Sequence, residues 1–429
     1  MARLANSRLL SNVGWTFVGN ALYAASQWVM IVVLARCTDP ATVGSFALAL
    51  AITAPVTILF NMQLRAVIAT DVTGKYKLQQ YFQARLFTAA MALLIICLGL
   101  PFYRQDRATS LVIILVALSK AGESLSDIIH GHWQLIERME LVGRSLAIRA
   151  VLTLTVFAVA IATTHSLISA AGAFLLGSFS VFIGNDLPTA MSLLRNSQGR
   201  EGPWCRSSDS RTTWGTIHSL VTLAAPLGLA AMLISLNTSI PRYFIEAYDG
   251  KHQLGIFAAL SYFIVVGNLC MNAVGQTVLP RLATLYTLHS LAQFWRGFKS
   301  LLACSGIVAL ASMVVVLLFG RRLLEIYGKE YSTAYPVFVA IMGAASIGYF
   351  IAILNFALNA VGAYKIQAPL LLAVSATLIM LCRILIPKHG MLGAGIALIL
   401  SNFIQAAISW VILVRRARTA EGAFRWVPK

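Results

Sequence analysis

Lys120, Glu123 and Asp127, followed by His130, interrupt an otherwise apolar run. At 100° per residue positions 120, 123 and 127 share one helical face, with Lys120 near the middle of a membrane-length helix. An ionisable side chain at such a centre costs at least ~2.5–3.5 kcal/mol, so the stripe must face protein or a water-filled cavity rather than lipid. Its chemistry is either substrate contact by Lys120, with Glu123 and Asp127 as coupling-ion sites, or an internal ion pair of Lys120 with Glu123 at i, i+3, joined by Arg149 of the next helix. Arg149 carries two readings of its own. It can snorkel to the headgroups, or present its planar guanidinium as a bidentate fork to a phosphate inside a cavity.

Further along, the seventh apolar run ends in Asn237-Thr238-Ser239-Ile240-Pro241-Arg242-Tyr243, where Pro241 removes a backbone donor and suggests a local hinge. The formal glycosylation sequon at 237 falls inside a span and is discarded. Asn268, Asn272 and Gln276 repeat at four-residue spacing, a polar stripe suited either to sugar hydroxyls or to hydrogen bonds with neighbouring helices. Asn355, Asn359, Asn402 and Gln405 invite the same two readings.

The elements that must carry these residues follow from composition. The chain has 429 residues, 59% of them hydrophobic and 11% charged, with mean hydropathy +0.79. Soluble domains carry about 25% charged residues, so a polytopic membrane protein is indicated. Apolar runs long enough to cross as helices cover 12–35, 43–64, 84–101, 109–130, 143–164, 167–185, 216–241, 254–279, 300–319, 335–357, 367–387 and 393–414. They do not alternate as barrel strands do, and the fold class is an all-α bundle of twelve transmembrane helices. The first run is read as a retained helix rather than a signal peptide, because no small-x-small cleavage site closes a short apolar core.

The connections on the face holding both termini contain 21 Lys and Arg, counting with them Arg65 and the span-edge Arg85 and Arg144, those on the other face 9, and Lys120, Arg149 and Arg383 lie deeper within spans. By the positive-inside rule both termini are cytoplasmic. The net charge of +18 therefore orients the protein and calls for no nucleic acid partner. A basic, turn-rich stretch at 186–215 divides the helices six and six, giving an N-terminal lobe at 1–185, a cytoplasmic linker at 186–215, a C-terminal lobe at 216–414 and a basic tail at 415–429. A parallel repeat supports the division. At a shift of 211, Gly44, Phe46, Ala47 and Asn61 pair with Gly255, Phe257, Ala258 and Asn272.

Enzyme signatures are absent: the histidines are scattered, no nucleophile elbow or Walker loop occurs, and Gly390, Gly393 and Gly395 at a helix entry suit close packing. The six cysteines form no CxxC and imply neither disulfide nor metal. No cofactor is expected. A membrane glycan polymerase or ligase acting outside needs a sizeable external loop, and the longest here runs only from Gly320 to Ala334.

Four stretches carry a resemblance: LSKAGESLSDIIHGHWQLIERMELVGRSLAIRA at 118–150, PLGLAAMLISLNTSIPRYFIE at 226–246, LGIFAALSYFIVVGN at 254–268 and VGQTVLPRLA at 274–283. Together they resemble the bacterial polysaccharide transporter family, the Wzx-type flippases of the multidrug, oligosaccharidyl-lipid and polysaccharide exporter superfamily, and the likeness extends over all twelve spans. It implies two six-helix lobes forming a V around a cavity of alternating access. It also implies transfer of an undecaprenyl-diphosphate-linked oligosaccharide to the outer leaflet for exopolysaccharide, capsule or O-antigen synthesis. On that reading Lys120 and Arg149 in the first lobe and Arg242 and Arg281 in the second meet the diphosphate, Asn268 and Asn272 the sugars, and Glu123 and Asp127 a proton or sodium ion. Partners would be the lipid-linked oligosaccharide, membrane lipids, and a polysaccharide polymerase with its chain-length regulator. The main alternative is a small-molecule or drug antiporter of the same superfamily. Two branches fit less well: the lipid II flippases typically place an arginine in the first helix, and the drug exporters often an acid in the first or seventh, and none occurs in those spans here.

Overall fold

A computed structural model describes residues 2–71, 74–103, 105–197, 214–288 and 290–424, and among them there is no strand. The helices are α1 (Ala2–Cys37), α2 (Pro40–Asn61), α3 (Leu64–Thr70), α4 (Leu78–Gly99), α5 (Arg107–Leu135), α6 (Met139–Thr164), α7 (Leu167–Val181), α8 (Leu187–Ser197), α9 (Trp214–Ser261), α10 (Phe263–Thr287), α11 (Leu291–Glu325), α12 (Tyr335–Ala360) and α13 (Tyr364–Phe424). Nine helical segments among the described residues are long and apolar enough to cross a membrane. Two of them are double, because α9 breaks at Gly250 (φ 81°) and α13 at Gly390 (φ 55°), left-handed conformations that glycine adopts without strain. Helix α5, whose charges interrupt its apolar run, supplies one more. The architecture agrees with the twelve expected helices.

Local chemistry sets the ends. Asp39 caps α2, accepting from Thr42 N at 3.3 Å, and Pro40 follows at the first helical position, where its missing N–H costs nothing. Asp106 caps α5 in the same way, accepting from Thr109 N at 3.1 Å and from the Thr109 hydroxyl at 2.7 Å. Met62 and Gln63 are both left-handed (φ 49° and 51°), ending α2 and turning the chain into the short α3.

The chain divides into two compact units, Met1–Leu236 and Asn237–Lys429. The division falls inside α9, whereas the expected lobe boundary lay at 216. The reason is packing: Leu220 and Ala224 of α9 are wholly buried against Met62, Leu64 and Ile68, and the Tyr76 hydroxyl lies 2.8 Å from that of Ser219. Helix α9 also passes through Pro241 without a break, so the hinge expected there is not seen and the non-helical residue is Gly250. The linker expected to begin at 186 is still helical as far as Ser197, and 198–213 lie outside the described residues.

In the first unit α5 packs against α2, α3, α4 and α7, and in the second α12 packs against α10, α11 and α13. These are the fourth and tenth membrane-length helices, six apart, as a parallel repeat requires. The repeat-related pairs Phe46 and Phe257, and Ala47 and Ala258, are buried alike. Small residues permit a close approach of α1 to α6. A Cβ on Gly143 would stand 2.6 Å from the Trp15 carbonyl oxygen, and one on Gly19 would stand 2.8 Å from Gly143 Cα. Gly143→Leu is accordingly expected to destabilise the first unit by about 1–3 kcal/mol through overpacking, read as a lowered melting temperature of the purified protein in detergent.

Candidate functional site

The first unit brings seven Lys, Arg, Asp and Glu side chains together around α5, distributed over four groups. In the first, Lys120 Nζ donates to Glu123 Oε2 at 2.9 Å, and the Tyr23 hydroxyl of α1 donates to Glu123 Oε1 at 2.9 Å. Lys120 Nζ also lies 5.5 Å from the centroid of the Phe174 ring on α7, a cation–π contact. Its other neighbour is a small cavity of about 10 Å³, room for about one water, walled by Thr57 and Asn61 of α2, Lys120 and Ser124 of α5 and alanines of α4 and α5.

The second group separates Asp127 from that stripe. Arg65 Nη1 donates to Asp127 Oδ1 at 3.1 Å and Arg65 Nε to Gln134 Oε1 at 3.4 Å. The turn at Met62 and Gln63 makes this possible by carrying α3 onto α5, where Gly131 lets the Arg65 backbone approach: a Cβ there would meet Arg65 O at 3.0 Å.

In the third group Arg149 is 3% exposed and points inward, so it does not snorkel. Its Nη2 donates to Asp186 Oδ2 at 3.2 Å and to Ser126 Oγ at 2.5 Å. Asp186 is fully buried and also accepts from Asn185 Nδ2 at 2.8 Å, while His130 Nε2 stands 3.7 Å from its Oδ2 and 2.9 Å from Ser145 Oγ. The carboxylate reaches this place because residues Phe182–Asp186 form a π-turn between α7 and α8. Such turns recur at functional sites.

The fourth group is Arg85 of α4, 0% exposed, whose Nη1 donates to Asn61 Oδ1 at 2.9 Å. Its Nε and Nη2 have no hydrogen-bond partner among the described residues. Asn61 thus touches both the cavity beside Lys120 and the Arg85 guanidinium. Across the four groups the cations are Lys120, Arg65, Arg85 and Arg149, against the carboxylates Glu123, Asp127 and Asp186. One positive charge is left over, and Arg85 is the cation without a carboxylate within salt-bridge distance.

Several expectations are therefore revised. Lys120 and Glu123 form the anticipated i, i+3 pair, but Arg149 does not join it and Asp127 has its own partner. Asp186, read as the first residue of a solvated linker, is the counter-ion of Arg149. Arg85, read as a loop cation, is fully buried, and Arg65, read likewise, is half-buried against α5. In the second unit Arg242 is half-buried with its Nε unpartnered among the described residues, and Asn268 is exposed. The side chains of Asn272, Gln276 and Arg281 lie outside the described residues. Several remaining amides bond to neighbouring helices: Asn237 Oδ1 accepts from the Ser375 hydroxyl at 2.5 Å, and Asn402 Nδ2 donates to Ala344 O at 2.9 Å. Of the three glycines expected to serve packing, Gly395 lies against Ala340 and Gly393 against the Leu385 backbone, while Gly390 forms the break in α13.

A family profile described as "Polysaccharide biosynthesis protein" matches residues 9–286. The chain belongs to this family. The matched stretch takes in every residue of the charged interior described above, so the Polysaccharide biosynthesis protein assignment covers the candidate site itself. A relative from Staphylococcus aureus, "Capsular polysaccharide biosynthesis protein CapF", is 26% identical over 415 residues, covering 95% of this chain and 100% of its own length.

Solved structures establish the fold. The lipid II flippase MurJ in an inward closed conformation superposes with a TM-score of 0.74 at 11% identity, covering 94% of this chain and 89% of its own. A multidrug resistance transporter of the MATE family, of the MOP superfamily, in an inward-facing conformation gives 0.70 at 10% identity, covering 96% and 94%. The same description in an outward-facing conformation gives 0.67 at 11% identity, covering 97% and 96%. The family member described here has a membrane-transporter fold rather than that of an enzyme.

Proposed function

We propose that the protein is a flippase that carries an undecaprenyl-diphosphate-linked oligosaccharide repeat unit across the cytoplasmic membrane by alternating access, for capsule, exopolysaccharide or O-antigen synthesis. The observation that carries this reading is the surplus cation of the first unit: Arg85, buried without a carboxylate, next to the Asn61 that also walls the cavity beside Lys120. A buried, unpaired guanidinium is costly, and a phosphate-bearing ligand that enters this interior compensates it. The free Nε and Nη2 offer the planar fork that suits phosphate oxygens. Lys120 adds a point charge, and Glu123 keeps the Tyr23 hydroxyl when the lysine turns to ligand. The lipid tail stays in the bilayer. The name of the Staphylococcus relative, matched end to end, supports a capsule-type glycan.

In this reading Arg242 and Arg281 serve the diphosphate from the second lobe, and Asn268 and Asn272 the sugar. Glu123 and Asp127 take up the coupling ion, a proton or sodium. Both termini face the cytoplasm, and a polymerase with its chain-length regulator receives the product. The likeness to drug transporters is one of fold, at identities that carry no substrate. Deleting the gene in a strain without a redundant flippase is expected to trap lipid-linked repeat units on the cytoplasmic side, measured by protection from an externally added glycan-modifying enzyme. Normal export in the deletant overturns the proposal.

A further inference from the structure

Acidic residues are distributed unevenly along the second half of the chain. Between Asp249 and Glu325 there is none, and between Glu330 and Glu421 there is none. Glu246, Asp249, Glu325 and Glu330 all sit at the helix ends remote from the termini, next to the α9 break and the α11–α12 connection. The one acidic residue of this half outside those remote helix ends is Glu421, so it is the single acidic side chain that this half contributes near the terminus, against Arg281, Arg296, Lys299, Arg415 and Arg416.

That same face contains the larger cavity, a cleft of about 500 Å³ between α10 and α11. Its floor is apolar, made by Val278, Leu282 and Leu285 of α10, and its rim is polar, made by Gln293, Arg296 and Ser300 of α11. The three rim residues fall at i, i+3 and i+7, on one helical face, and all are exposed. Between them α11 carries Gly297, where a Cβ would come within 3.3 Å of Leu282 Cδ2. The absent side chain is what leaves the cleft open.

Depth in the membrane is marked by aromatic residues. Trp295 lies 6.2 Å from Trp410 and 5.7 Å from Phe298, centroid to centroid. Clustered tryptophans of this kind sit at the headgroup level, so the adjacent Arg296 does too, while the apolar floor extends along α10 beneath it.

We propose that this cleft binds an anionic phospholipid of the surrounding leaflet. The phosphate is held by Arg296, with Gln293 and Ser300 as neutral hydrogen-bonding groups, and one acyl chain lies over Val278, Leu282 and Leu285. A cation at headgroup depth with no acidic partner among the described residues, above an apolar trough, matches a lipid whose charge and chain meet at that depth. The site is separate from the charged interior of the first unit and does not depend on the transported substrate.

Native mass spectrometry of the purified full-length protein, equilibrated with equal phosphatidylglycerol and phosphatidylcholine, tests it. Wild type is expected to retain phosphatidylglycerol preferentially. Arg296→Gln is expected to reduce that retention about fivefold, the loss of roughly one near-surface charge, and Arg296→Lys to keep most of it. Gly297→Leu fills the cleft and is expected to reduce retention of the lipid even with Arg296 in place. Arg322→Gln, an exposed cation at the far end of α11, is the control and leaves retention unchanged. Equal retention of the two lipids, or no loss in Arg296→Gln, overturns the proposal. Displacement of phosphatidylglycerol by undecaprenyl diphosphate at equal concentration assigns the cleft to the transport substrate and also overturns it. Because lipid retention is read without transport, a failure here leaves the flippase reading to its own test.

Discussion

Asp186→Ala is expected to destabilise the protein by about 3–5 kcal/mol, the cost of leaving one partner of a buried ion pair alone. Arg149, 3% exposed, loses its carboxylate and keeps only the Ser126 hydroxyl, while Asn185 and His130 lose the group they face. The measurement is the melting temperature in detergent together with abundance in the membrane fraction. Arg149→Ala is expected to behave similarly, because it strands the carboxylate instead. The double variant Arg149→Met with Asp186→Leu removes both charges and is expected to recover most of the stability, since apolar replacements of buried pairs are often neutral or better. Additive losses in the double variant would show that the two residues act independently, against the 3.2 Å contact. The outcome also bears on mechanism. A loss of transport in Arg149→Ala says nothing about phosphate recognition unless the protein is shown to be folded.

Lys120→Gln is expected to reduce translocation of the lipid-linked oligosaccharide about 10–100-fold with little change in protein level. Glutamine can still donate to Glu123 Oε2, and the Tyr23 hydroxyl that joins α1 to Glu123 is untouched, while the positive charge beside the cavity is gone. A hydrogen bond to a charged group is worth about 1.5–3 kcal/mol, which sets the range. The measurement is transfer of repeat units in inverted vesicles, normalised to immunodetected protein. Lys120→Arg keeps the charge and is expected to retain more activity than the neutral variant. Transport unchanged in Lys120→Gln would reduce the lysine to a structural partner of Glu123.

The spans were legible because the cost of placing backbone and charge in hydrocarbon leaves a long, smooth composition signal. The fourth span was legible as a site for the same reason, since Lys120, Glu123 and Asp127 violate that signal together. Arg85 escaped notice because window hydropathy assigns a cation near the edge of an apolar run to the adjoining loop. Helix α4 starts at Leu78, two turns before it, and only tertiary packing reveals the burial. A count of the distance from a polar helix start, Lys77-Leu78-Gln79-Gln80, could have placed Arg85 inside. Asp186 left no local trace, because its partner lies 37 residues upstream and the π-turn that aims it has no composition of its own. The pairing of Arg65 with Asp127 was hidden likewise, since it depends on two left-handed residues that are neither glycine nor asparagine.

A π-turn is one residue wider than an α-turn, so the five residues Phe182–Asp186 act as a phase shifter in the sixth membrane helix. Everything downstream, from Leu187 to Ser197, is rotated by about 100° from where an uninterrupted helix would put it. The buried carboxylate is thereby tied to a single inserted position, which makes it a unit of evolutionary gain or loss. A relative that has dropped one residue between 182 and 186 will have swung the acid out of the interior without mutating it. In such a relative the residue aligned with Arg149 should have lost its guanidinium too, a compensation to be read from register rather than from residue identity.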